Sequence, residues 1–372
     1  MESEIIECDV AIVGAGMAGA SLAAEIGLHR SVVMIEAEAH PGFHATGRSA
    51  AFWSETYGGP GVTPLTKASF DFLNAPPQEF SERGFLTPRG CLHIARDETK
   101  PLLDAMLAAF AGSGVDLGPA DPAIPGLRPE WRHAVAEPSC TDIDVGGLHA
   151  AYLRAAKRAG VRLVCDAPLG TAEWAGGRWM LSGGKHRISA GLLVDAAGAW
   201  ADDVARMAGV EPIGIAPLRR TVMQLRVDPP AAPDLPLVMD AGGAFYFKPV
   251  AGGRLWLSPA DETPDLAGDV AADELDVARA IDSFSQAVDW RVEAVERRWA
   301  GLRSFAPDRL PVYGFDPAHP GFFWFAGQGG FGIQTAPAAA QTAAALLLDR
   351  PAAPMVAGID PAPYAPDRFL KG

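Results

Sequence analysis

The sequence predicts an α/β fold of two domains. Three observations carry the prediction: strand and helix patterns alternate at the N-terminus, a glycine-rich turn joins the first strand to the first helix, and strand-like apolar runs return after long interruptions. A chain of 372 residues with 49% hydrophobic and 20% charged content has an ordinary globular composition and is too long for one core.

The first elements are the most legible. Residues 8–13, CDVAIV, form a short buried-strand pattern, residues 15–28 have helical composition, and SVVMIE at 31–36 is a second strand. The turn between them reads Gly14-Ala15-Gly16-Met17-Ala18-Gly19, a G-x-G-x-x-G at the end of a strand and the mouth of a helix. The first glycine permits the tight turn, the second lets backbone approach a pyrophosphate, and the third lets helix pack on strand. The helix N-terminus adds partial positive charge. Glu36, followed by Ala37, stands about 20 residues beyond Gly14, where an acidic side chain accepts hydrogen bonds from a ribose. This strand, turn, helix, strand and acid sequence predicts a Rossmann-type dinucleotide site. A nicotinamide cofactor and FAD present the same pyrophosphate to that turn, so the fingerprint does not choose between them.

The next stretch bears on that choice. Phe43 to Ala51 combines small residues, hydroxyls and one arginine directly after the second strand, a composition suited to wrapping an extended cofactor. Thr46, Gly47, Arg48, Ser49, Ala50 and Ala51 are candidate contacts, with Arg48 expected at the flavin-side phosphate and ribityl hydroxyls. LLVDAAGAW at 192–200 is a third buried strand ending in small residues, which places Gly198 and Trp200 near the same ligand.

These motifs resemble the D-amino acid oxidase superfamily of FAD enzymes, and among its branches the bacterial D-arginine dehydrogenases. The resemblance runs nearly end to end: GAGMAG, TGRSAA at 46–51, Tyr57-Gly58, DAAGAW at 195–200, LRR at 218–220, FYFKP at 245–249, WAGLRSF at 299–305 and GQGGFGIQT at 327–335. It implies FAD chemistry, in a chain that leaves its Rossmann-type FAD-binding domain (mixed, mainly parallel sheet with helices) twice. The excursions build a discontinuous α+β substrate domain on an antiparallel sheet. The expected boundaries are 1–84, 141–216 and 306–372 for the FAD-binding domain, with 85–140 and 217–305 for the substrate domain. Relatives of the sarcosine oxidase type attach FAD through a cysteine in the C-terminal half. No cysteine follows Cys165, so noncovalent FAD is expected.

The later segments read consistently from residues alone. Residues 244–249 and 254–258 are strand-like, with Gly252-Gly253 as a hairpin signal. FFWFA at 322–326 is a buried strand, and the loop that follows, containing Gly329, Gly330 and Gly332, feeds a helix reaching about Leu348. Pro337 fits only the first turn of that helix. The helix N-terminus, with Ile333, Gln334 and Thr335, is expected to face the flavin and favour negative charge there.

Oxidising an amino acid requires a carboxylate clamp, and arginine's planar fork is the suitable group. Arg303 lies among apolar neighbours in WAGLRSF and therefore needs an anion. Arg219 and Arg220 alternate, so only one enters the site. The resemblance favours Arg220, whereas the apolar series Met223, Leu225 and Val227 runs with Arg219. By resemblance Tyr246 and Tyr57 close on the substrate carboxylate, with Tyr57 on a lid, and Gln334 with the Gly330 carbonyl meets the α-amino group. Hydride transfer from Cα to flavin N5 needs no strong protein base, which suits a site of arginines, tyrosines and glutamine.

The substrate side chain is expected against Phe52, Ser54, Cys91, Leu237 and Met239. Phe52 and Cys91 stand where the D-arginine-type enzymes carry histidine and glutamate, so an apolar or aromatic D-amino acid is expected over D-arginine. A glycine or sarcosine oxidase is the alternative, and would share almost every cofactor motif. A nicotinamide-dependent dehydrogenase would be colourless, and a non-catalytic flavin-binding protein would be yellow but unresponsive to amines. The electron acceptor, whether oxygen, a quinone or another carrier, is not encoded in the spacing.

Composition narrows the partners. A formal net charge of −14 without a basic stripe argues against nucleic acid. MESEIIECDV has neither the basic nor the apolar region of a signal peptide, and Ala343 to Leu348 is far shorter than the ~18 apolar residues of a membrane span. The expected location is cytoplasmic, at the inner membrane face if the acceptor is a quinone. Cys8, Cys91, Cys140 and Cys165 form no CxxC pair and read as small core residues, and no metal is expected.

Overall fold

Strands are apolar where both faces are covered, and the N-terminal strand shows this over residues 10–13, whereas Glu7 and Asp9 earlier in it are exposed. In the computed structural model, which describes residues 5–369, Ile5–Val13 lies inside an eight-stranded sheet. The first four residues of the N-terminal stretch lie outside the described residues. Ile5–Val13 runs parallel to His186–Asp195 on one side and Val32–Ile35 on the other. Arg162–Val164 continues the parallel order, and Phe322–Ala326 lies parallel to the end of His186–Asp195. Helices Met17–Ile26 and Ala336–Leu348 pack on one face, while Ala201–Met207 packs on the other. The first helix is shorter than its composition suggests, ending at Gly27, whose N–H still bonds the Ala23 carbonyl.

A second sheet of ten strands carries most of the remaining chain. Its spine is Ala216–Asp228 paired antiparallel with Arg291–Phe305 over almost their full lengths. Arg254–Ser258, Tyr246–Val250 and Leu237–Asp240 follow in order. Gly252 and Gly253, at φ +77° and +69°, make the tight turn between the first two of these. Cys91–Ala95 and His133–Glu137 then extend the sheet, so strands distant in sequence share one layer.

Alternation divides this sheet's faces. Met223, Leu225 and Val227 pack with Phe247 beneath the helix Glu274–Ala287, whose Val277, Ala280 and Phe284 complete the cluster. Asp273 caps that helix by accepting from the Leu275 and Asp276 N–H groups. The opposite face looks toward the first sheet. A small sheet of Phe52–Trp53, Thr141–Ile143 and Leu86–Pro88 closes one side.

One segment joins both large sheets. Phe322–Ala326 belongs to the first, and after Gly327 the two residues Gln328 and Gly329 pair with Phe305 and Ser304 of the second.

Phe284 is fully buried and meets the Phe247 ring edge-on at 5.2 Å. Phe284→Ala is expected to lower unfolding free energy by about 3–5 kcal/mol. Urea denaturation checks this, and a loss below about 1 kcal/mol would show that the helix does not depend on that ring.

Candidate active site

A cavity of about 580 Å³ runs from the N-terminal glycine turn to the inner face of the ten-stranded sheet. Gly14, Gly16, Met17, Ala18, Glu36 and Ala37 line its first end. Gly14 sits at φ +97°, and a Cβ there would stand 2.5 Å from the Ala196 carbonyl oxygen, so both conformation and space demand glycine. Gly19 lies behind the wall, where its missing side chain lets the helix rest on the Gly14 carbonyl. The Glu36 carboxylate accepts from Ala15 N at 2.9 Å and Glu38 N at 3.0 Å, which fixes it at the rim while each oxygen keeps a second acceptor position. Thr46 Oγ1 accepts from Met17 N at 2.9 Å and ties the following loop to the turn.

That loop is divided by the structure. Thr46, Arg48, Ser49 and Ala50 line the cavity, as do Gly198 and Trp200 on the other wall, whereas Gly47 and Ala51 face away from it. Arg48 differs from its expected role. Its guanidinium donates to Asp269 Oδ1 at 2.6 Å and to the carbonyls of Val270 and Ala300, each at 3.2 Å. The segment after Arg254–Ser258 brings Asp269 and Val270 to it and the strand Arg291–Phe305 brings Ala300, so the fork is occupied by protein rather than open toward a phosphate.

Arg303, Arg220, Tyr246, Gly329, Gly330, Gly332 and Ile333 meet at the far end. Arg303 Nη1 donates to the Tyr57 hydroxyl at 2.6 Å, and among the described residues it has no carboxylate partner. Burial opposes its charge, but Tyr57 and Tyr246 together with the more distant Glu262 and Asp261 carboxylates outweigh that and hold its pKa above the ordinary arginine value. Gly330 makes the pair possible: a Cβ there would collide with the Tyr57 hydroxyl and stand 3.0 Å from Arg303 Nη1. Tyr246 is 2% exposed, and its hydroxyl has no hydrogen-bond partner. A buried unsatisfied hydroxyl beside a half-buried, cavity-lining cation is suited to an anion that accepts from both.

The two adjacent arginines separate by face. Arg220 lines the cavity and is 8% exposed, whereas Arg219 pairs outward with Asp265 at 3.1 Å and Asp276 at 3.2 Å. The apolar series Met223, Leu225 and Val227 does share Arg219's parity, but it packs under the helix Glu274–Ala287 and so marks the sheet's outer face. Burial, then the Arg303 charge, pushes the Arg220 pKa down.

Gln334 is also placed differently from expectation. It is 1% exposed, with Oε1 accepting from Ser54 N at 3.1 Å and Nε2 donating to Thr66 Oγ1 at 2.9 Å and to the Ser54 and Tyr57 carbonyls. Thr335 is buried beside it. The amide therefore positions the segment carrying Tyr57, and its donors are not directed at a substrate amine. Glu137, which sequence reasoning passed over, holds the same segment from the other side. It accepts from Thr56 Oγ1 and Glu55 N, each at 2.6 Å, and from Ser54 Oγ at 3.0 Å. Burial raises its pKa, but bonds from His93 and Thr56 prevail, and the net shift is downward. Its local sequence, HAVAE, carries no signal for partners some 80 residues earlier.

The residues expected around a substrate side chain form a closed cluster instead. Phe52, Cys91, Leu237 and Tyr246 are buried together with Cys140, with Met239 packed at the edge. Phe52 meets the Tyr57 and Tyr246 rings at 5.2 Å and 6.1 Å. Ser54 is fully buried and bonded to Glu137. Except for Tyr246, none of these lines the cavity.

With this geometry in view, the comparisons are specific. Residues 9–346 match the family described as DAO, FAD dependent oxidoreductase. The chain belongs to the DAO family. A curated relative, the glycine oxidase of Pseudomonas putida, is 30% identical over 74% of this chain and 73% of its own length. A second, the glycine oxidase of Pseudomonas aeruginosa, is 27% identical over 96% of this chain and 98% of its own. The fold of this DAO-family chain is similar to the crystal structure of glycine oxidase from Geobacillus kaustophilus, with TM-score 0.84 and 23% identity over 98% of this chain and 100% of that one. The two curated relatives are thus glycine oxidases, not the D-arginine dehydrogenases that the motifs resemble. The cofactor is FAD, and the Gly14 turn, Glu36 and the cavity that leads from them to Arg303 fit it. Among the described residues, no helix is long and apolar enough to cross a membrane.

Gly14→Ala is expected to give a folded but colourless protein, read from the ratio of flavin to protein absorbance. Glu137→Gln should cost about 2–4 kcal/mol, because the buried donors on Ser54, Glu55 and Thr56 lose a charged acceptor. Since the Glu137 pKa is depressed in the fold, its contribution is present above about 4.5, the ordinary glutamate value, and is lost as pH falls through the folded value. Acid titration of stability should therefore fall less steeply in the variant below that pH; parallel curves would remove Glu137 from this role.

Proposed function

We propose that this chain oxidises a small amino acid of the glycine or sarcosine class, giving an imine that water hydrolyses to a 2-oxo acid and an amine or ammonia. FAD supplies the two-electron acceptor for such an oxidation. The observation that carries the reading is the closed cluster of Phe52, Cys91, Leu237 and Tyr246, which leaves little room for a side chain beside Arg303. The glycine oxidase relatives support the same substrate size.

In this reading Arg303 and Arg220 hold the substrate carboxylate, and the Tyr246 hydroxyl finds its missing acceptor there. Tyr57 orients Arg303 from a segment clamped by Glu137 and Gln334. FAD is held noncovalently, and acid precipitation should leave it in the supernatant.

Mixing the protein anaerobically with single amino acids tests the substrate class. Glycine and sarcosine are expected to bleach the flavin faster than D-leucine or D-phenylalanine. A better response to the large apolar D-amino acids would show that the cluster opens, and no response to any amine would leave a flavin-binding protein without this activity. Arg303→Met should lower kcat/KM by about 100-fold, mostly through KM. Unchanged parameters in that variant would reject its carboxylate role.

A further inference from the structure

The segment between Arg254–Ser258 and the helix Glu274–Ala287 brings several carboxylates to the wall of the substrate end. Asp265 and Asp269 are held by Arg219 and Arg48, as described above. Asp261 is pinned to the strand Ala216–Asp228 by Thr221, whose N–H and hydroxyl donate to it at 2.6 Å and 2.9 Å. Glu262, the next residue, meets the same strand through Arg220. Its Oε1 lies 3.3 Å from Arg220 Nη2, while both its oxygens take Nη2 of Arg309 at 2.8 Å and 3.0 Å. Arg309 is half exposed, so Glu262 reaches from the surface to a cation that lines the cavity.

The two arginines of the site are therefore unequal. Arg303 has no carboxylate at ion-pair distance among the described residues, whereas Arg220 has Glu262 at 3.3 Å and Asp261 Oδ1 farther off at 3.8 Å, with its Nε donating to the Asp261 carbonyl at 2.7 Å. Two neighbouring guanidinium groups repel, and an anion shared between them relieves the repulsion. Glu262 supplies part of that charge from one side. It can give up its longer contact and keep the shorter pair to Arg309, so leaving Arg220 does not strand it without a partner.

We propose that Glu262 is a displaceable internal carboxylate, occupying Arg220 until the substrate carboxylate takes its place and so setting the affinity of the site for that anion. The proposal rests on the reading that Arg220 and Arg303 receive an amino acid carboxylate. Glu262 acts through Arg220 and is a positioning residue. Arg309 holds Glu262 back, and the two residues should therefore act in opposite directions.

The test uses the FAD-loaded protein with acetate, a carboxylate lacking the amine, followed by its perturbation of the flavin spectrum, and separately glycine and sarcosine turnover. Glu262→Gln is expected to lower the Kd for acetate and the KM for glycine by about 5- to 10-fold, the advantage of a charged over a neutral acceptor on one guanidinium contact. The effect on kcat should be smaller than that on KM. Arg309→Met should raise both constants by a similar factor, and the double variant should match Glu262→Gln. Both single variants moving in the same direction, or Glu262→Gln leaving acetate affinity unchanged or weaker, would overturn the proposal. If glycine and sarcosine fail to bleach the flavin while acetate binding responds as expected, the substrate reading fails and the displacement stands.

Discussion

A guanidinium turned into a cavity with no carboxylate against it is an expensive thing to build, and the substrate end is organised around one. Arg303 projects from a strand of the ten-stranded sheet into a cavity whose opposite wall belongs to the other sheet. Its hydrogen bond to Tyr57 satisfies one donor only, which leaves the rest of the fork for an anion. Everything near it keeps that arrangement open without letting it relax. Gly330 gives up a side chain so that Tyr57 can approach, and the Tyr246 hydroxyl is left unpaired where a neutral core would have used phenylalanine.

The position of Tyr57 depends on two buried polar side chains that touch neither ligand. Glu137 comes from the ten-stranded sheet and Gln334 from the loop before the helix Ala336–Leu348, and between them they satisfy the backbone and hydroxyls of residues 54–57. A polar network buried this completely tolerates one geometry, because any displacement leaves donors or a charge unpaired. The segment is thereby fixed in register with Arg303, although it lies in a part of the chain with little regular structure.

How much of this was legible in the sequence follows from how local each signal is. The Gly14 turn, Glu36, the FFWFA strand and the Gly252 hairpin are read within a few residues, and the structure places them as read. Strand alternation separated Arg219 from Arg220, but the apolar series beside Arg219 could equally mark a helix-covered face or a site face, and only the position of Phe284 decides. Arg48, Gln334 and Glu137 were misjudged or missed for one reason: their partners lie roughly 80 to 280 residues away along the chain. A polar residue in such a loop reads the same whether it faces a ligand or another loop. The residues expected around a side chain differ again, since Phe52, Cys91 and Leu237 do come together, but as a buried cluster outside the lining of the cavity.

The short step from Phe322–Ala326 to Gln328 and Gly329 places consecutive residues of one chain in both sheets. With only Gly327 between them, a displacement of either pairing is passed directly to the other, right beside the site.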